Sequence, residues 1–384
     1  MAAIMAAIME ITENIMRRMH EPSTKLHNAL YFMSGMMVVI LALVIVAGVK
    51  TKAENAGFHI ADDTENSYEQ QVAGQTDTTQ DSGQEKWQEG VVAYQGKEYL
   101  YNTDIKTYLM MGVDIDGPVQ QSSDYTQGGQ SDALFLLVVN NKTEQLQVIS
   151  INRNTMADIE LCDEEGIDMG PLKTQICLQH AFGDGKRLSC SKTVDAVSGL
   201  FQNIPISGYL AMNMGGIPQM NDAVGGVEVT VQQDISFPKA GVNLKKGQKV
   251  TLNGTQAYYY LHGRDTEEYD SATKRLQREE QYIVAYMDKL KKVSTENPDQ
   301  VTEIYNSVSD YLVTSVDFTS MIEQLMNYGF SEDQMYTVPG KTVEGKPIDG
   351  KRYEEYHVDE DAMEELIMKV RSEERRVGKE CRSR

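Results

Sequence analysis

The sequence predicts an α/β layered fold, built as one domain over residues 91–370. Ala133–Val139 is an unbroken apolar run, the pattern of a central strand covered on both faces. Strand-like and helix-like segments then alternate to the end of the domain, which stacks helices on a sheet. There is no internal repeat.

The segments before the domain read differently. Residues 1–28 open with MAAIMAAIM and carry Arg17, Arg18 and Lys25; Met5, Met9 and Met16 are alternative initiators. Ala29–Val49 is a stretch of 21 residues without a formal charge. At about 1.5 Å per residue it matches a bilayer core of roughly 30 Å. No small-x-small cleavage site follows, so residues 29–49 are expected to be an uncleaved transmembrane anchor. Three basic residues precede it and two, Lys50 and Lys52, follow. That bias places residues 1–28 in the cytoplasm and the bulk of the chain outside. Residues 50–90 read as a disordered acidic linker. Glu54–Gly90 alone holds nine acidic residues, one Lys and six Gln, too polar to offset its ordering entropy. Its self-repulsion extends it as a tether.

Within the domain, Thr107–Asp114 reads as a strand ending in a polar loop. Ala133–Val139 follows, then the turn residues Asn140–Thr143 and a strand at Gln145–Ile151. Helices are expected at Gln175–Phe182 and Thr193–Phe201. Tyr209–Met214 is a strand, Ile217–Val224 a helix and Val227–Val231 a strand. Further helical patterns cover Gly254–Leu261, Ala272–Lys291, Val301–Val313, Phe318–Tyr328 and Glu360–Val370. Residues 371–384 carry six basic residues and three Glu. They read as a non-native read-through tail, the other reading being a native basic tail.

The formal charge of −21 argues against a general nucleic-acid binder, which needs clustered Lys and Arg. Four Cys rule out a disulfide scaffold or zinc array. No P-loop, GxGxxG after a strand, HExxH or GxSxG occurs. What remains is acidic and guanidinium chemistry. Asp114 ends the first strong strand and Asp132 precedes the next. If the two strands are antiparallel neighbours, both carboxylates meet at one end of the sheet. Such a pair suits Mg²⁺ shared with substrate phosphates, although Asp at strand ends is also ordinary turn chemistry. Arg153 follows the third strand, Arg264 follows a helix, and Arg275 and Arg278 share a face of the next one. Arginines in that number suit bidentate anion recognition; solvated helix charge is the plainer reading.

Seven segments taken in order carry a family resemblance. They are GVD (Gly112–Asp114), QSDALFLLVV (Gln130–Val139), VISINRNTM (Val148–Met156), QHAFGDG (Gln179–Gly185), NDAVGGVEVTV (Asn221–Val231), LNGTQAYYYLHGRD (Leu252–Asp265) and KRLQRE (Lys274–Glu279). Together, over residues 106–291, they resemble the LytR–CpsA–Psr family. The resemblance implies a single three-layer α/β/α domain with a mixed central sheet. It implies an extracytoplasmic, membrane-anchored phosphotransferase of Gram-positive-type bacteria. Such an enzyme moves a glycopolymer from a polyprenyl-pyrophosphate carrier onto peptidoglycan and releases polyprenyl phosphate. Asp114 and Asp132 then match the Mg²⁺ ligands. Arg153, Arg264, Arg275 and Arg278 match the pyrophosphate-binding arginines, with Asp132, Arg153 and Arg264 as the catalytic set. The apolar interior would hold the prenyl chain.

The chain departs from that pattern at four positions. Asn154 replaces a frequent Asp, His262 the first Arg of an Arg-x-Arg pair, Glu279 a Gln, and Gln130 a common Arg. The departures motivate an alternative, a non-catalytic protein that binds or senses polyprenyl phosphate in the cell envelope. Outside the membrane, Cys177 and Cys190, with 12 residues between them, are candidates for a disulfide, and buried free thiols are the competing reading.

Overall fold

The computed structural model describes residues 91–94, 97–100, 102, 104–264, 268–318, 321–322, 328, 330–345 and 353–371. All belong to the second of the two units into which the chain divides, Gln84–Arg384. The anchor at 29–49 and the linker at 50–90 lie outside the described residues, and so does the tail except Arg371. Among the described residues no helix is long and apolar enough to cross a membrane.

A hairpin of β1 (Val91–Tyr94) and β2 (Lys97–Leu100) leads into β3 (Ile105–Val113), β4 (Ser131–Asn140) and β5 (Gln145–Ile151). The turn between β4 and β5 forms as its residues dictate: Asn140 Oδ1 accepts the N–H groups of Lys142 (3.0 Å) and Thr143 (3.1 Å). A second hairpin, β6 (Met156–Cys162) and β7 (Asp168–Gln175), precedes a short 3₁₀ segment (Ile176–Ala181) and α1 (Arg187–Leu200). Then come β8 (Gly208–Asn213), α2 (Ile217–Ala223), β9 (Val227–Thr230), β10 (Ile235–Phe237), β11 (Val242–Leu244) and β12 (Lys249–Leu252). They are followed by α3 (Gly254–His262), α4 (Ser271–Glu296) and α5 (Gln300–Val308). The domain closes with β13 (Leu312–Thr314), β14 (Met335–Thr337), β15 (Gly340–Glu344), β16 (Glu354–Val358) and α6 (Glu360–Arg371).

The central sheet has six strands in the order β13-β8-β3-β4-β5-β14. It is mixed, as expected: β8 runs parallel to β3 and β14 parallel to β5, while the other neighbours are antiparallel. The period of two sorts the strands onto two faces. Leu109, Leu134, Leu136 and Ile149 join one core with Val197 of α1 and Leu366 and Ile367 of α6. Phe135, Leu137, Val139 and Val148 join another with Leu276 of α4 and Met321. A third core packs α2, α3, α4 and α5 over the small strands β9–β12.

Several expected elements shift. The helix expected from Thr193 begins at Arg187, because Asp184 Oδ1 accepts the N–H groups of Lys186, Leu188 and Ser189 and so starts it earlier. The segment at Gln175–Phe182 is 3₁₀ rather than α. The helix expected over Val301–Val313 stops at Val308, and Leu312–Thr314 instead pairs with β8 as an edge strand. Of Phe318–Tyr328, the residues Phe318, Met321 and Ile322 are helical and most of the rest lies outside the described residues. Arg371 closes α6, and its Nη1 donates to the Pro205 carbonyl at 3.1 Å.

Of the two readings for Cys177 and Cys190, it is the buried free thiols that are seen, and no bridge forms. Cys162, Cys177 and Cys190 are all free and buried. The two thiols face different partners, Cys177 Sγ the Gln130 amide at 3.8 Å and Cys190 Sγ His180 Nε2 at 3.7 Å.

Candidate active site

The site begins with a defect in the ladder between β3 and β4. Gly112 faces Ala133 and Val113 faces Ser131, which leaves Asp132 as an extra residue on β4. A β-bulge of this kind re-aims a side chain. Both Asp114 N and Asp132 N donate to the Gln130 carbonyl, each at 3.0 Å. Gln130 N in turn donates to Asp114 Oδ1 at 2.5 Å. The two carboxylates are thus held at one end of the sheet, as antiparallel pairing of their strands requires.

Three arginines converge on them. Arg153 sits in a turn after β5 that Asn152 shapes by accepting the N–H of Asn154 on its side chain (2.9 Å) and that of Thr155 on its carbonyl (2.9 Å). Arg153 Nη2 lies 2.7 Å from Asp132 Oδ1 and also donates to Gln130 Oε1. From the first turn of α4, Arg275 donates through Nη1 to Asp132 Oδ2 and through Nη2 to the Asp132 carbonyl, both at 2.8 Å. Its Nε pairs with Glu279 Oε1 at 3.2 Å, one helical turn on. Arg264, just past α3, is close enough for the charges of Arg153 and Arg275 to lower its pKa, after burial, which is the larger cause.

The electrostatics follow from this packing. Asp132 is 8% exposed. Burial alone would raise its carboxyl, but the Arg275 and Arg153 guanidiniums outweigh it and hold the group below the usual carboxylate range. Asp114 lies at the exposed mouth, yet the surrounding walls desolvate it enough to raise its carboxyl. The Asp132 charge adds to the rise and the Gln130 N–H opposes it. Burial pushes Glu279, only 7% exposed, up to about 7 against the pull of Arg275. Burial also pushes the Cys177 thiol beside Arg153 up to about 11.

Arg278 is placed differently from the sequence expectation. It is fully buried, and it donates through Nε to the Tyr260 carbonyl (2.7 Å) and through Nη2 to the Gly263 carbonyl. It ties down the end of α3 and so positions Arg264, while its Nη1 is left without a hydrogen-bond partner.

The four departures are absorbed locally. Gln130 props Arg153. Asn154 accepts from Gln175 Nε2 at 3.0 Å and donates to Glu354 Oε2 at 3.5 Å, so it faces a carboxylate rather than the arginines. His262 and Glu279 both line a cavity of about 250 Å³. The remainder of its wall is apolar, formed by sheet residues such as Phe135 and Leu137 and by Ile283 and Met287 of α4. Since Glu279 is paired with Arg275, the charged cluster and the apolar cavity are contiguous. Sequence reasoning missed Gln130 and Glu354 as supports, and it missed Tyr258, whose hydroxyl donates to Asp116 Oδ1 at 2.5 Å. Only the spacing of Asp114 and Asp116 hinted at the last.

Among the described residues no three or more His, Cys, Asp or Glu gather as a metal cluster. Mg²⁺ needs fewer, since it commonly takes one or two carboxylates and completes its shell with phosphate and water. Asp132 Oδ1 is buried, and its contact with Arg153 falls outside hydrogen-bond geometry, which leaves lone-pair capacity beside Asp114. The acidic pair therefore fits a hard cation.

A mixed sheet with helices on both faces thus carries a carboxylate–arginine cluster at one end, and that cluster abuts an apolar cavity. The profile of the LytR_cpsA_psr family matches residues 62–372, and the chain belongs to that family. It is 30% identical over 231 residues to the polyisoprenyl-teichoic acid–peptidoglycan teichoic acid transferase TagU of Enterococcus faecalis, covering 60% of this chain and 67% of that one. It is 28% identical over 220 residues to TagU of Halalkalibacterium halodurans, covering 57% of this chain and 64% of the relative. The chain thus spans about two thirds of the length of these relatives. The crystal structure of B. subtilis TagV shares the fold, with a TM-score of 0.54 at 23% identity over 70% of this chain and 96% of TagV.

Proposed function

We propose that this protein is an extracytoplasmic phosphotransferase that moves a glycopolymer from a polyprenyl-pyrophosphate carrier onto peptidoglycan. The observation that carries the reading is the contiguity of the arginine cluster with the apolar cavity through Glu279 and His262. A diphosphate head with a long apolar tail is the ligand class that needs both. The names of the TagU relatives support the same chemistry.

In this reading the diphosphate is held by Arg153, Arg264 and Arg275, and the prenyl chain enters the cavity. A sugar hydroxyl of the acceptor forms a new O–P bond to the glycan-side phosphorus. The P–O bond to the bridging oxygen breaks, and polyprenyl phosphate leaves with that oxygen. Arg153 and Arg264 neutralise the charge that spreads over the phosphoryl oxygens, which is where most of such catalysis lies. The hydroxyl proton goes to a carboxylate. Asp132, clamped by two guanidiniums, is too acidic for that task; Asp114 at the mouth, with its raised carboxyl, is the better acceptor while it holds no cation, since a bound Mg²⁺ would lower its pKa again. Mg²⁺, when held by Asp114 and Asp132, would supply further neutralisation of the diphosphate. Anchoring through residues 29–49, with the N-terminus cytoplasmic and the domain outside, places the site where the acceptor is.

A second reading, a non-catalytic polyprenyl-phosphate sensor, is favoured by one observation: Arg275 and Arg278 already spend donors on Asp132, Glu279 and backbone carbonyls. The full chain, given a polyprenyl-pyrophosphate glycan, peptidoglycan fragments and Mg²⁺, separates the two. Release of polyprenyl phosphate, reduced at least about a hundredfold by Asp132→Ala or Arg153→Ala, is the outcome expected of the enzyme. Tight lipid binding with no release toward any acceptor would leave only the sensor.

A further inference from the structure

At the solvent side of the acidic pair the walls of the site become aromatic. Tyr258 and His262 lie one turn apart on α3, their ring centroids 5.3 Å apart. Tyr258 meets Tyr259 edge-on at 5.2 Å, and Tyr259 packs on Phe237 of β10 at 4.5 Å. Facing this band, the loop after β3 carries Asp114 and then Asp116. Asp116 is exposed, and its Oδ1 accepts the Tyr258 hydroxyl. The loop is fixed from behind as well: Asn213 Nδ2 donates to the Gly117 carbonyl at 2.8 Å, and Gly215 N donates to the Ile115 carbonyl at 3.2 Å. The site therefore has steps. Asp132, Arg153 and Arg275 are innermost, Asp114 and His262 come next, and Asp116 and Tyr258 are outermost.

We propose that Tyr258, with the Asp116 carboxylate, forms a pyranose-binding subsite at the mouth of the active site. A pyranose has an apolar C–H face and a rim of hydroxyls. The half-buried Tyr258 ring offers a negative π-face to the first, held in place by its neighbours. Asp116 offers acceptor capacity to the second, since the Tyr258 hydroxyl uses only one of the several lone-pair positions of a carboxylate. Few fixed polar groups on an aromatic wall are what orients a ligand of this class. One residue separates Asp116 from Asp114, so a ring seated on Tyr258 has its hydroxyls beside the Asp114 carboxylate. The ligand chemistry stands on the aromatic–carboxylate pair, while its place in the reaction rests on the glycopolymer-transfer reading. The ring can belong to the incoming acceptor or to the first sugar of the carried glycan.

The test is made on the full chain with three probes: a soluble β-linked N-acetylglucosamine–N-acetylmuramic acid fragment, a polyprenyl-diphosphate glycan, and polyprenyl diphosphate without sugar. Binding is measured for the unmodified chain, Tyr258→Ala, Tyr258→Phe and Asp116→Asn, each checked for an unchanged melting temperature. Tyr258→Ala is expected to weaken binding of one sugar-bearing probe about tenfold and to leave the sugar-free lipid unaffected. Tyr258→Phe, which keeps the ring, is expected to lose less, and Asp116→Asn to lose several-fold. Loss confined to the soluble fragment assigns the subsite to the acceptor; loss confined to the glycan-bearing lipid assigns it to the carried sugar. Unchanged sugar binding in Tyr258→Ala and Asp116→Asn overturns the proposal, as does an equal loss for all three probes. Because binding is read without turnover, a failure of the transferase reading shows separately, as absence of polyprenyl phosphate release by the unmodified chain.

Discussion

Asn154 sits within 3.5 Å of the Glu354 carboxylate, and Glu354 also accepts the Asp270 N–H at the start of α4 at 2.6 Å. An Asp at the buried position 154 would set one acid against another. Asn154→Asp is therefore expected to destabilise the fold by about 1–3 kcal/mol, read from urea denaturation; an unchanged midpoint would contradict the contact. Glu279 makes a sharper case at the same scale. Unfolded, it ionises near 4.5; folded, near about 7. Between those values the folded protein holds a proton that the unfolded chain has shed. The stability from the neutral form is complete below pH 4.5 and is lost as pH rises through about 7. His262, lowered from 6.5 chiefly by burial, acts in the opposite sense, its contribution being lost as pH falls. Glu279→Gln is expected to remove the first slope alone, so that the melting temperature declines less between pH 5 and 7 than in the unmodified chain. These residues could be named from the sequence. What surrounds them could not, because Glu354 lies 200 positions from Asn154 along the chain and no local pattern encodes that meeting.

Elements differ in how openly they are written. β4 was plain, since burial on both faces forces a continuous apolar run. The helices α2, α3 and α4 were legible from their periodicity, while the capping box by which Asn253 starts α3 went unread. The hairpin of β6 and β7 was not, because β7 is mostly exposed and carries Gly170 and Pro171, which read as a loop. The early start of α1 was hidden because Asp184, which sets it, lies three positions before the first helical residue. The bulge at Asp132 is a register fact, invisible until β3 and β4 are paired, yet it aims the acid. The loop that follows β3 depends equally on a distant glycine. A Cβ at Gly215 would run into the Asp116 carbonyl. Gly215→Ala is expected to displace the Asp114–Asp116 loop and cut turnover at least tenfold with only a modest loss of melting temperature, measured by steady-state kinetics beside calorimetry. Normal kcat and KM in that variant would show that the loop tolerates movement.

At the scale of the whole chain, the charge of −21 divides into unlike parts: the Glu54–Gly90 stretch carries nine acids against one Lys, while residues 371–384 lean basic. In the domain between them Arg153, Arg264 and Arg275 form a cluster that an overall acidic count conceals. The apolar cavity has a consequence of its own. About 250 Å³ of space between the sheet and α4 is interior that the fold does not fill. Apolar side chains that line space without filling it forgo packing contacts, and such contacts are part of the small margin by which a domain stays folded. A substitution that fills it, such as Leu137→Phe, is expected to raise the melting temperature and to weaken polyprenyl-phosphate binding together; a gain in one without a loss in the other would uncouple them. Selection for a sturdier domain and selection for a lipid-accepting one thus pull against each other at the same few side chains. Laboratory evolution for heat resistance alone should reach a protein that folds better and no longer recognises the proposed carrier.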